Sequence, residues 1–236
     1  MRDPVSVSEA AKTLKLSPAR VRAMASRGQL PAAKIADRWL IERSVVEQRK
    51  KQKALSGRRF TPRNAWALLM LASGEDAPEL DPSVRSRLKR ALALEGLGAL
   101  APRLSDRADV SSYRAHSGEP PHVLEDEALM RSGISAADSL KLGLLPGREV
   151  DGYLAQSRLQ SFVSQHALVP VAIGGNVRLR VVPDEVWLSL GSRSVAPPAS
   201  VALDLADELD PRSQAAGKEL LREIDRNQRA KAKSRG

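Results

Sequence analysis

Apolar positions in the first fifty residues fall into short helical stripes. Ala10, Ala11 and Leu14 share one face of a helix opened by Ser6-Val7-Ser8-Glu9. That string is a capping box, with Ser6 as N-cap and Glu9 three positions on. Lys15-Leu16-Ser17 forms a turn, and Ser17-Pro18 opens a second helix. Serine caps it, and proline at the first helical position gives up a donor that has no partner there. Val21, Met24 and Ala25 follow at i, i+3 and i+4, while Arg20, Arg22, Ala23 and Arg27 point elsewhere, and Gly28 is the stop. The period then shortens. Ala33-Lys34-Ile35 and Arg38-Trp39-Leu40-Ile41 read as two strands around Ala36-Asp37, with Trp39 covering the core of Leu14, Val21 and Met24. Ser44-Val45-Val46-Glu47 is a second capping box, starting a third helix that runs into Arg49-Lys50-Lys51-Gln52-Lys53. The pattern predicts a winged helix-turn-helix over residues 1–52, whose second helix is built to enter a major groove.

Beyond a basic linker at 53–60 the elements lengthen. Thr61-Pro62, Asp81-Pro82 and Asp210-Pro211 each repeat the cap-then-proline device and open helices carrying Trp66 to Leu71, Val84 to Leu92, and Leu220 to Ile224. Val177-Arg178-Leu179-Arg180-Val181 alternates apolar and basic, which predicts one buried and one wet face. Gly174-Gly175-Asn176 is a turn signal, so Leu168–Ile173 and Asn176–Val182 read as a hairpin. Glu149–Leu154 reads as a strand and Leu159–His166 as a helix. The expected class is α+β: the helix-turn-helix, then a mixed α/β body over 61–225, then a basic tail at 226–236. That tail has five Lys/Arg and no acids, and is expected to be disordered.

Charge sharpens this picture. Residues 1–60 hold 15 Lys/Arg against 5 Asp/Glu, while residues 61–236 hold 23 of each, so the whole excess of +10 lies in the first quarter. A local field of that density points to a polyanion. The expected partner is double-stranded operator DNA, engaged by a homodimer. The candidate contacts are Ser17, Arg20, Arg22, Arg27, Lys34, Arg38, Arg49, Lys50, Lys51, Lys53, Arg58 and Arg59. Arg20 and Arg22 lie in the first turns of the second helix, where side chains reach base edges, with Arg20 the first candidate for base reading. Lys34 and Arg38 flank the turn, where phosphates would lie.

Candidate catalytic chemistry is sparse. There is no cysteine, which excludes disulfides, thiol nucleophiles and thiolate metal sites. The three histidines, His116, His122 and His166, have no metal-ligand spacing and no triad pattern. No apolar run is long enough to span a bilayer, and Met1-Arg2-Asp3-Pro4 lacks a leader's apolar segment, so a cytoplasmic protein is expected. Val186-Trp187-Leu188-Ser189-Leu190-Gly191-Ser192, followed by Ser200–Leu205, has the outline of a minimal nucleotidyltransferase, in which a strand and Gly-Ser precede an Asp-x-Asp pair that holds two magnesium ions. Ala202 stands where the first aspartate belongs, and Asp204 alone cannot hold the metals. Glu125/Glu127 and Asp204/Asp207 read as solvated faces. No catalytic residue, metal or cofactor is expected.

Two resemblances add to this. Residues 5–48 resemble the excisionase/MerR-type helix-turn-helix, through Ser8-Glu9-Ala10-Ala11, Leu16-Ser17-Pro18, Arg27-Gly28-Gln29-Leu30-Pro31 and Arg38-Trp39-Leu40-Ile41. Gly175–Pro183 and Val195–Leu205, followed by the Asp-Pro-Arg-led helix, look like the C-terminal region of AbiEi antitoxins. The second resemblance implies an antitoxin body and an autorepressor of a toxin–antitoxin operon, with a nucleotidyltransferase toxin as partner. The alternative is an excisionase-like or MerR-like regulator whose body serves dimerisation or effector binding.

Overall fold

The computed structural model describes residues 4–26, 30–35, 38–43, 45–47, 49, 58–77, 80–116, 118–145, 147, 149–172 and 174–233. Strand β1 (Pro4–Ser6) leads directly into α1 (Val7–Leu14). The capping box is formed: Ser6 Oγ accepts from the Glu9 N–H, and the Glu9 carboxylate accepts from the Ser6 N–H. Lys15 closes α1 in the left-handed conformation at φ 52°, and α2 (Pro18–Ser26) follows. Strands β2 (Ala32–Ile35) and β3 (Arg38–Glu42) pair antiparallel, and β1 adds to the other edge of β3, giving the order β1-β3-β2. Val5, Ala10, Leu14, Val21, Met24, Leu30, Ala32 and Ile41 close a separate small core, with Trp39 half-buried against it. Residues 43, 45–47 and 49 are helical, and Ser44 of the second capping box lies outside the described residues.

The body follows as α3 (Pro62–Ala72), α4 (Pro82–Glu95), α5 (Leu97–Leu100), β4 (Asp109–Arg114), α6 (Pro120–Glu125), β5 (Met130–Arg131), β6 (Val150–Ala155), α7 (Leu159–Gln165), β7 (Val169–Pro170), β8 (Val177–Val182), α8 (Asp184–Leu190), α9 (Pro198–Ala206) and α10 (Pro211–Lys233). Thr61, Asp81 and Asp210 each accept from a backbone N–H of the helix they open. The sheet order is β5-β6-β8-β4-β7, with β6 and β8 parallel and the remaining pairs antiparallel. Side chains alternate across it. Val150, Leu154, Val177 and Leu179 pack with Val123 of α6 and Phe162 of α7 in one cluster. Tyr153 and Val182 join the larger cluster formed with α3, α4, α9 and α10.

The face of Tyr153 also carries Asp151, Arg178 and Arg180, because the register sets Asp151 beside Arg178 and Tyr153 beside Arg180. Asp204 of α9, fully buried, closes over them. Arg180 binds Asp151 through two 2.8 Å bonds and reaches Asp204 Oδ1 at 3.1 Å. Arg107, also buried, donates to Asp204 Oδ1 at 2.6 Å and to the Tyr153 hydroxyl at 3.1 Å. Tyr153 and Ser132 donate to Asp204 in turn. Burial works to raise the Asp151 pKa, but Arg180 and Arg178 outweigh it and hold the carboxyl ionised. Burial likewise works against the charge on Arg107 and Arg180, and the facing groups raise both pKa values instead. At Gly133, whose φ is +49°, a Cβ would sit 2.4 Å from Asp151 Oδ2, so only glycine fits beside the network.

Several expectations are corrected here. The basic face of Val177–Val181 is not wet, because ion pairs bury Arg180 and half-bury Arg178. Asp204 is core; Asp207 is its exposed neighbour, with a side chain 47% accessible. The expected hairpin does not form. β7 pairs with β4, and β4 lies between it and β8. The Asn176 side chain bonds both the N–H and the carbonyl of Ala115, which carries the chain around β4. Ile173 lies outside the described residues. The nucleotidyltransferase outline fails on secondary structure too, since both segments are helical, in α8 and α9. The basic run from Arg226 continues α10 to Lys233, because Asp225 caps α5 at Leu97 and Gln228 bonds the Leu71 and Ala72 carbonyls; residues 234–236 lie outside the described residues.

His166, buried below Phe162, is held between two carboxylates, with Nδ1 2.6 Å from Glu119 and Nε2 2.9 Å from Asp126. Both ring nitrogens face acceptors, so the geometry suits the imidazolium. Burial opposes the charge, and the bonds to Glu119 and Asp126 outweigh it and raise the pKa.

Two outcomes follow. Asp204→Ala takes the close carboxylate from the buried Arg107 guanidinium and one of the two that hold Arg180, and should cost about 3–5 kcal/mol, read from urea unfolding. The His166 contribution is complete below the free imidazole value of ~6.5 and is lost as pH rises through the raised folded value. The thermal midpoint of the wild type should therefore exceed that of His166→Gln most at mildly acid pH, and the gap should close toward alkaline pH.

Candidate nucleic-acid interface

The turn between α1 and α2 is tight because Lys15 and Leu16 both return N–H groups to Ala11 or Lys12 carbonyls. Ser17 then caps α2, its Oγ accepting from the Arg20 N–H at 3.2 Å. This role occupies the hydroxyl locally. Val21, Met24 and Ala25 bury one face of α2, which turns Arg20 and Arg22 outward. Neither guanidinium has a charged or hydrogen-bonded partner among the described residues, and both are exposed. Lys34 is exposed on β2, opposite Trp39 on β3. The shared core of Val21, Met24, Ala32 and Ile41 holds α2 against this strand pair. Three of the expected contacts thus project from one small unit: Arg20, Arg22 and Lys34.

The other candidates divide. Arg27, Lys50, Lys51, Lys53 and the side chain of Arg38 lie outside the described residues. Arg59 is committed to the body, where it binds Asp106 at 2.7 Å. The Arg58 carbonyl accepts from Arg103, whose guanidinium also lies 4.3 Å from the Phe60 ring centroid. Arg49 is half-buried, and burial, reinforced by Arg59, lowers its pKa against the pull of Asp106. Arg49 therefore lies within electrostatic reach of Arg59 and Asp106. The sequence gives no sign of this, since Asp106 lies 47 residues beyond Arg59.

Residues 5–54 match the family model of a helix-turn-helix domain. The match supports a DNA-binding regulator and covers the unit that carries Arg20, Arg22 and Lys34. No curated protein and no solved structure matches the chain. Among the described residues, no helix is long and apolar enough to cross a membrane, and no group of three or more His, Asp or Glu could hold a metal ion.

Arg20→Ala should relax sequence preference at one position by about 1–3 kcal/mol, the worth of a bidentate arginine–guanine contact. Lys34→Ala should weaken all sites alike and reduce the salt slope by about one. Competition binding over operator variants at several salt concentrations reads both effects.

Proposed function

We propose that the chain is a sequence-specific DNA-binding repressor, with α2 in the major groove and β2–β3 acting as a wing on the phosphates. The observation that carries this is the pair Arg20 and Arg22, exposed and without described partners on α2, inside the segment that holds the whole positive excess. With about six phosphate contacts, log K should fall against log salt with a slope near −5. A salt-independent affinity would remove this reading.

For the body we propose a non-catalytic role, as the antitoxin half of a toxin–antitoxin pair whose toxin is a nucleotidyltransferase. The two segments that resemble AbiEi antitoxins are β8 and α9 with their flanks, and they meet through Arg180 and Asp204. Asp204, the acid that the nucleotidyltransferase outline would use, is spent on Arg107, Ser132, Tyr153 and Arg180.

The test uses the full chain, expressed beside the product of its neighbouring gene, with a reporter on its own promoter. Wild type should repress the reporter and restore growth. Arg20→Ala should lose repression and still restore growth. Repression without rescue would leave a plain transcription factor.

A further inference from the structure

The body as a whole is neutral, but its charge is unevenly spread. Residues 115–210 hold 13 acids against 7 basic residues. The stretches on either side, which supply α3, α4, α5 and α10, carry 16 basic residues against 10 acids. The densest part is α4, with Arg85, Arg87, Lys89 and Arg90 and no acid between Asp81 and Glu95. Leu88 and Leu92 turn one face of this helix into the core that also takes Leu221 and Ile224 of α10. The opposite arc is exposed and holds Ser86, Arg87, Lys89, Arg90 and Ala93, with Leu94 at its end. Ser86 and Arg87 each stand one turn before Arg90, so the three share a side.

The nearby acids among the described residues are already engaged. Asp81 caps α4, accepting from the Ser83 N–H at 2.8 Å. Asp76 pairs with Arg85 at 3.3 Å, and Glu95 with Arg103 at 3.5 Å. Arg87, Lys89 and Arg90 have no charged or hydrogen-bonded partner among the described residues.

We propose that this arc of α4 is a second DNA-contact surface, which grips the phosphates of a duplex without reading its sequence. The proposal rests on the DNA-binding reading and extends it to the body. Three unpaired cations on one helix face complement a polyanion. Ser86 adds a short donor of the kind that phosphates accept. The arc has no aromatic side chain on which single-stranded bases could stack. Leu94 alone makes no apolar face for a lipid surface. The helix-turn-helix brings a duplex to the same chain, so a contact too weak to hold DNA by itself acts at a high effective concentration. Of the roughly six phosphate contacts behind a salt slope near −5, about half then come from α4.

Salt titrations of the full chain, followed by fluorescence anisotropy, test this on two duplexes of equal length: the promoter region of its own gene and an unrelated sequence. Arg87→Ala, Lys89→Ala and Arg90→Ala combined should make the slope of log K against log salt shallower by about 2–3 on both duplexes. The ratio of the two affinities should not change. Circular dichroism should match the wild type, because all three residues are exposed. Exchanging the cations, as Arg87→Lys, Lys89→Arg and Arg90→Lys, should keep the wild-type slope.

A triple alanine variant with the wild-type slope would overturn the proposal and leave the DNA reading standing. A loss confined to the promoter duplex would overturn it too, because the arc would then read bases. If the wild type bound both duplexes alike and the triple variant still lost slope, sequence-specific reading would fall and the α4 surface would stand. A wild type that bound neither duplex would remove both. Vesicles containing phosphatidylserine supply the last arm. Wild-type binding to them that the triple variant loses, with DNA slopes unchanged, would assign the arc to a lipid surface instead.

Discussion

Four buried charges hold the body in register. Removing a carboxylate or guanidinium from water costs several kcal/mol per ion, even after relaxation, and only close, saturated pairing offsets it. Arg107 and Arg180 balance Asp151 and Asp204 in number, and each aspartate accepts from more than one donor. The members come from distant places: the segment after α5, two parallel strands and α9. Shifting β6 by one residue against β8 would turn Asp151 to the opposite face and leave Arg180 without its main partner. Trp66 extends the constraint to α3, because its indole N–H donates to the Arg107 carbonyl while its ring meets the Tyr153 ring edge-on at 4.7 Å. The network thus acts as an alignment key for sheet and helices together.

The helix-turn-helix unit depends on none of this. Its core is apolar and closed by residues that all lie between Val5 and Val46. Arg20 and Arg22 face outward, where pairing would compete with a polyanion. Arg49 lies within electrostatic reach of Arg59, which pairs with Asp106 of the body.

Local rules made much of this legible in advance. Capping boxes, cap-then-proline starts and helical stripes located α1, α2, α3, α4 and α10, since those signals lie within a few residues of what they specify. Alternation located β8 and even its two faces, but misjudged one of them. Arg178 and Arg180 look like a solvated face until Asp151 and Asp204 are known to lie 24 or more residues away on the same side. Asp204 was misread for the same reason. Polarity in sequence signals exposure only when no partner of opposite charge comes from elsewhere in the fold. The hairpin failed because Gly174-Gly175-Asn176 turns the chain around β4 instead of back onto its own strand. In the interface the exposed arginines of α2 were visible from the stripe alone, whereas the engagement of Arg49 and Arg59 with the body was not.

The cap that Gln228 places on α3 has a temporal side. The Leu71 and Ala72 carbonyls wait for a side chain more than 150 residues downstream, and α5 waits for Asp225. Synthesis proceeds at about 5–20 residues per second, so roughly 10–40 s separate completion of the helix-turn-helix segment from emergence of its late partners. During that interval the nascent chain carries a finished basic module on an unfinished body. In a cell where translation is coupled to transcription, that module is born beside the DNA that encodes it, and it can search that DNA before the rest of the protein has closed.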